Sequence, residues 1–389
     1  MYNIDIYIGG EGLFKQFKLD IRLIKEIDKT LLISLILLIL YGTLNIYLCT
    51  KGLDNGMVYV KKQLIAFGLA LVALYFLIAI DYKIIFDYVP IFYWGSVVLL
   101  IVAKIPGIGM VVNGARGWIG FGSFQLQPAE FAKIGIILML GKCLQEMEGK
   151  INDVKNFFIL AFYAAVPVAF ILSQPDMGMG MVCFFIVLGI FFVMGLDLRI
   201  IGGGLTALVL LIVIVWNSGL IEPYQKARFA GFLNPEADNA NTYHLTQSEI
   251  AIGSGGLLGS RPSFKNDGTT SYSAQNVPEV RTDFIFAAIA DQWGFTGAIL
   301  LLIMYGFLIF KMVSIARTSK DIFGSVICVG IVSYFLFAIA QNIGMTIGLM
   351  PITGITLPLI SYGGSSLLTT VMAVGLVINV GMRRKKIHF

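Results

Sequence analysis

The sequence predicts an all-α polytopic membrane protein, and three observations carry that prediction. Hydrophobic residues make up 57% of the 389, and charged ones only 13%, roughly half the charged share of a soluble domain. Mean hydropathy is +0.84. Apolar runs long enough for a bilayer, about 20 residues each, recur along the whole chain. The largest polar block is the segment 217–283, too small for a soluble domain of ordinary size.

The runs are bounded by charges, Gly or Pro and cover 31–48, 58–80, 88–104, 128–145, 156–173, 177–195, 200–216, 284–311, 322–346 and 363–382. They predict ten transmembrane helices in a single domain, 31–382. A charged lead, residues 1–30, carries Lys15, Lys18, Arg22, Lys25 and Lys29. No small-residue cleavage pattern follows the first run, so it reads as an uncleaved span. Residues 383–389 form a basic tail that includes Arg383, Arg384, Lys385 and Lys386.

Consecutive spans alternate direction, so ten of them place both termini on one side. Cytoplasmic termini put most of the 28 basic residues inside, as charge bias across a membrane requires. A large extracellular loop, 217–283, then lies between helices 7 and 8. Segments 105–127, Gln174-Pro175-Asp176 and 347–362 face the same side. All the unusual chemistry therefore collects on one face. Gly202-Gly203-Gly204 reads as close helix packing. The four cysteines are scattered and the histidines number two, so neither a disulfide framework nor a metal cluster is indicated.

The long loop ends in Pro278-Glu279-Val280-Arg281-Thr282-Asp283-Phe284, an acid at the lip of an apolar run. A carboxylate there caps a helix or acts as a general base, with Thr282 as a rival cap; spacing alone leaves the two readings level. Arg281 beside it would favour the charged form. Pro128 fits a first helical turn, which puts Glu130 and Lys133 three apart on one face. A structural ion pair is the favoured reading there, with Lys133 also available to an anion. Trp118 suits an interfacial belt, and the glycines around it let a ligand approach the backbone. Ser361-Tyr362-Gly363-Gly364-Ser365-Ser366 opens the last run. Exposed amides at a helix start suit phosphate, although tight packing explains the same residues. Gln247-Ser248 through Gly256 reads as a short half-helix in the interface.

These segments together resemble the SEDS family of shape, elongation, division and sporulation proteins. The resemblance runs from Asn113 to Gly381. It is carried by Asn113 through Trp118, Gln127 through Lys133, Gln174-Pro175-Asp176, Gln247 through Gly256, Pro278 through Phe286, and a carboxyl-end set. That set comprises Asn342, Gly348, Pro351, Gly354, Pro358 and Ser361 through Ser366. The wording Tyr224-Gln225 with Arg228 and Phe232 through Glu236 looks more like RodA than FtsW. Gly117 and the stretch Arg261 through Asp267 depart from the family's usual pattern.

The resemblance implies a peptidoglycan glycosyltransferase that polymerises lipid II on the outer face of the bacterial cytoplasmic membrane, for elongation and shape. Asp283 corresponds to the family's essential acid. A class B penicillin-binding protein is the implied partner, and nucleic acid is not one. The chemistry agrees: the attacking hydroxyl needs one base, whereas the diphosphate leaving group needs cations rather than a second acid. Arg116, Lys133, Arg261, Lys265 and Arg281 are candidates for that charge. Trp118, Glu130, Gln247, Ser361, Gly363, Gly364 and Ser365 complete the expected substrate contacts. No cofactor is called for, and a divalent cation such as magnesium or manganese is compatible with the diphosphate. Rival readings are a lipid II flippase, a scaffold for the transpeptidase, and a division or sporulation paralogue of the same enzyme.

Overall fold

The computed structural model describes residues 25–53, 55–112, 115–121, 124–217, 232, 240–260 and 271–384. The chain is mostly helical. In order it runs α1 (Lys29–Thr50), α2 (Gly56–Ala79), α3 (Tyr82–Lys104), β1 (Gly109–Val112), β2 (Ala115–Phe121), β3 (Phe124–Leu126), α4 (Pro128–Glu146), α5 (Val154–Leu172), α6 (Met177–Val193) and α7 (Leu198–Asn217). It continues with α8 (Ala240–Ser254), α9 (Tyr272–Asn276), α10 (Ile285–Arg317), α11 (Ile322–Thr346) and α12 (Gly364–Met382).

Seven of these, α1, α2, α3, α5, α10, α11 and α12, are long and apolar enough to cross a membrane by length and composition. The protein is a multi-pass membrane protein. Each predicted run is occupied by helix, including α4, α6 and α7. Local signals set the starts. Asp28 accepts from the amides of Thr30 and Leu31, Asp176 from Met179 at 2.9 Å, and Asp321 from Gly324 at 2.8 Å. Each acid thereby satisfies amides that lack an intrahelical partner. Pro128 opens α4, as its fixed φ suits.

The centre of the bundle is built by α4, α11 and α12, most of whose residues are buried. Around them α12 packs on α2, α4 on α3, α6 on α11, and α10 on α1 and α11. Outer helices keep their large apolar residues exposed, as at Ile65, Leu69, Phe158 and Ile303. That is the pattern expected where lipid replaces water as the solvent.

Four expectations change. Segment 105–127 contains a three-stranded antiparallel sheet, β1–β2–β3, so the fold is not purely helical. The run 284–311 is two helices, not one. Gly294 has φ 65° and ψ −162° inside α10, which separates a short half-helix, 285–293, from the long arm. The half-helix is buried apart from Trp293, because the segment 255–260 lies against it. The amides of Phe295 and Thr296 donate to the carbonyls of Gly256 and Leu257 at 2.9 and 3.2 Å. A Cβ on Gly259 (φ +78°) or Gly294 would meet the other strand's backbone, so only glycine allows the approach. The expected interfacial half-helix at 247–256 is the end of α8, which starts earlier and packs on α10. Ser248 is buried there and donates to Thr346 O at 2.8 Å. Finally, among the described residues nothing lies within 4 Å of a Cβ built on Gly202, Gly203 or Gly204, so none of the described helices packs closely on them.

Candidate active site

Asp283 sits one residue before the N-cap of α10, which is Phe284 and has no side-chain cap bond. The Thr282 hydroxyl turns back to Glu279, with carboxylate Oε2 at 2.9 Å. The corner 281–283 is held instead by its own backbone. Three successive carbonyls are gripped from the carboxyl-terminal third. Tyr362 N donates to Arg281 O at 2.8 Å, Ser361 Oγ to Thr282 O at 2.6 Å, and Asn342 Nδ2 to Asp283 O at 2.8 Å. From below, Val277, Val280 and Phe284 pack in an apolar cluster with Cys49, Ala251, Ala287 and Ala288.

Asp283 faces a cavity of about 660 Å³. Glu279, Arg281 and Thr282 line it beside Asp283, and Trp118 and Gln125 do so from the sheet. Gln127, Glu130 and Lys133 enter from α4, Asp176 and Met179 from the start of α6. Gly363, Gly364, Ser365 and Ser366 come from the start of α12. The contributors from α2 had no signal in the sequence beyond an ordinary apolar span. These are Tyr59 and Lys62 of α2, with Ile65 and Leu69 continuing along the same helix. Ile65 and Leu69 are 63% and 50% exposed, so the cavity reaches the lipid-facing surface at α2.

Glu130 and Lys133 form a buried ion pair at 2.6 Å, as their spacing suggested. Thr369 Oγ1 donates to Glu130 Oε2 at 2.7 Å, and the Lys133 ammonium stands 3.8 Å from the centroid of the Tyr334 ring. The pair is thus compensated on both sides, the condition for burying charge. Arg281 lies over the Tyr59 ring at 4.4 Å, and Tyr59 meets Tyr362 edge-on at 5.4 Å. Burial, reinforced by Tyr59 and opposed by Arg281, pushes the Tyr362 phenol up from its ordinary value. Gln127 couples two walls: its amide donates to Ser365 Oγ at 3.1 Å and its side chain to Asp176 Oδ2 at 3.1 Å.

Of the residues expected at the site, Asp283, Trp118, Glu130, Lys133, Arg281, Gly363, Gly364 and Ser365 line one cavity. Three stand elsewhere. Ser361 is buried behind the wall, its hydroxyl between Thr282 O and the Leu357 amide. Gln247 accepts from Tyr272 OH at 2.6 Å, and Arg116 pairs across the sheet with Val111, against Gly109. Arg261 and Lys265 lie outside the described residues, as does nearly all of the RodA-like stretch from Tyr224 to Glu236. A Cβ on Gly117 would press on Gln174 Oε1 at 3.0 Å, and one on Gly120 on the Met110 sulfur of β1.

Four carboxylates (Glu130, Asp176, Glu279 and Asp283), three cations, a helix start and an apolar opening therefore share one hollow. The cell cycle protein model FtsW/RodA/SpoVE matches residues 27–386. The chain belongs to this family. SEDS relatives span it almost end to end. It is 35% identical to stage V sporulation protein E of Bacillus subtilis, over 91% of this chain and 96% of that one. It is 33% identical to peptidoglycan glycosyltransferase MrdB of Escherichia coli, over 92% and 95%. A solved structure described as structural coordination of polymerization and crosslinking by a peptidoglycan synthase complex superposes with a TM-score of 0.77. It has 30% identity and covers 92% of this chain and 98% of that one.

Proposed function

We propose that this SEDS protein is a peptidoglycan glycosyltransferase that extends glycan strands from lipid II, with Asp283 as general base. The observation that carries the reading is the shared cavity. It brings one acid at the head of α10 together with Lys62, Lys133 and Arg281 and with the lipid-exposed side of α2. A lipid-linked sugar diphosphate asks for that combination. Its tail lies along α2, its charge meets the cations and the first amides of α12, and its sugar reaches Asp283.

In the step proposed, Asp283 takes the proton of the acceptor hydroxyl as its oxygen bonds the donor's anomeric carbon. The bond from that carbon to the diphosphate oxygen breaks, and undecaprenyl diphosphate leaves with the electron pair. Cationic side chains stabilise that developing charge, so no second acid is required. A divalent cation such as magnesium or manganese enters the proposal only as a companion of the diphosphate.

Ten spans with cytoplasmic termini, as predicted from the sequence, would set the cavity on the outer face of the cytoplasmic membrane, where lipid II would be polymerised. The superposed complex couples polymerization to crosslinking, which supports a class B penicillin-binding protein as partner here. The RodA-like wording from Tyr224 to Glu236 supports a role in elongation and shape. Labelled lipid II added to the purified protein in detergent tests the reading. With no compartment present, a transporter makes no polymer and an enzyme does. Loss of about 10²-fold or more in Asp283→Asn is the expected result for a general base; full polymerisation by that variant refutes it.

A further inference from the structure

A second acid stands on the half-helix that follows Asp283. Asp291 is 1% exposed, and among the described residues no basic side chain lies within ion-pair distance of it. Its partners among the described residues are uncharged and come from two other segments. Oδ2 accepts from the Ser273 amide at 2.7 Å, at the start of α9. Oδ1 faces Ser254 Oγ at 3.5 Å, at the end of α8. Its own carbonyl accepts from the Ser260 amide at 2.9 Å and from Ser260 Oγ at 3.1 Å. Next to it, Gln292 Nε2 reaches Ser271 Oγ at 3.3 Å.

The topology gives these bonds a consequence. From Ser273 the chain runs through α9 to Glu279, turns at 281–283, and returns down the half-helix to Asp291. The carboxylate therefore closes the loop whose tip is Asp283. The tip is gripped by Tyr362, Ser361 and Asn342 on one side. The base of the loop is closed by Asp291. Burying a charged acid is costly, and an apolar residue would fill the same space at lower cost. What an apolar residue lacks is an acceptor for the Ser273 amide.

We infer that Asp291 is a positioning residue: it fixes the 273–283 segment so that Asp283 is held at the cavity wall. The inference rests on the proposed role of Asp283. Asp291→Asn keeps an acceptor for the Ser273 amide, whereas Asp291→Ala removes it and Asp291→Leu removes it while keeping bulk. In the lipid II assay, Ala and Leu are expected to lower kcat about 10-fold or more with KM within about 3-fold of the parent, and Asn to restore kcat to within about 3-fold. Hydrogen–deuterium exchange of the same detergent-solubilised variants reads the positioning without substrate. Exchange over 273–283 rises in Ala and Leu and stays near parent in Asn.

A parent-like kcat in either the Ala or the Leu variant overturns the inference, as does equal loss in Asn and Leu. Should Ala not fold, Leu against Asn decides. Asp283→Asn run in parallel separates the two claims. If it still polymerises, the proposed role of Asp283 as general base fails, while the exchange result stands on its own. If it is inactive and the Asp291 variants are normal, only the inference falls.

Discussion

Asn342 donates from one nitrogen to two carbonyls, Asp283 O at 2.8 Å and Ile355 O at 2.7 Å. A side chain of α11 thereby ties the corner that carries the acid to the segment leading into α12. Asn342→Asp replaces that donor by an acceptor facing two carbonyls. Each bond left unmade costs about 1–3 kcal/mol. The expected outcome is a lower melting temperature in detergent together with loss of polymer, measured on the same preparation.

Ser361 supplies a sharper distinction. As a substrate contact its removal would raise KM; as a brace on Thr282 O it acts through kcat. The bond at 2.6 Å and the hydroxyl's turn away from the cavity lining predict the second. Ser361→Ala should lower kcat several-fold, with about 1 kcal/mol lost in stability and KM little changed.

Breaking the Glu130–Lys133 pair from one side leaves a buried charge, at a cost of about 3–5 kcal/mol. Glu130→Gln and Lys133→Met should each reduce the yield of folded protein. Glu130→Leu with Lys133→Met removes both charges, and Thr369 still has Ser365 O at 3.0 Å. The double variant should fold better than either single one. It should stay inactive, since the proposed diphosphate contact is gone. Thermal unfolding and the polymerisation assay read the two effects separately.

Gly259 and Gly294 meet backbone to backbone where the segment 255–260 crosses α10. Alanine at either combines positive φ with a clash, so a loss of more than about 2 kcal/mol is expected. Among the described residues nothing lies within 4 Å of a Cβ on Gly306 of the same helix, and Gly306→Ala should be neutral or stabilise by about 0.5–1 kcal/mol. Melting temperatures of the three variants check the contrast.

The Tyr362 phenol, raised by burial above its ordinary value of 10.0, has a defined alkaline signature. Its neutral form is the one the fold favours. The stability it contributes is complete below about pH 10 and is lost as pH rises through the folded value. Tyr362→Phe keeps the ring against Tyr59 and removes the ionisation. That variant should lose less stability than the parent between pH 10 and 12, as followed by thermal unfolding.

The sequence by itself determined the class of the protein and much of its chemistry. Membrane helices were legible because each must bury its own backbone bonds inside one apolar run, a purely local demand. The i,i+3 spacing announced the Glu130–Lys133 pair, and motif wording pointed to Asp283 and the Gly363–Ser365 start of α12. Tertiary structure decided the rest. It brought Lys62 and Tyr59 of α2 to the cavity, and took Ser361 and Gln247 out of its lining. It broke α10 at Gly294 and turned Asp291 toward Ser273. Those outcomes depend on bonds between residues far apart in the chain, such as Asn342 with Asp283. No period or run length encodes which distant carbonyl a buried donor will find.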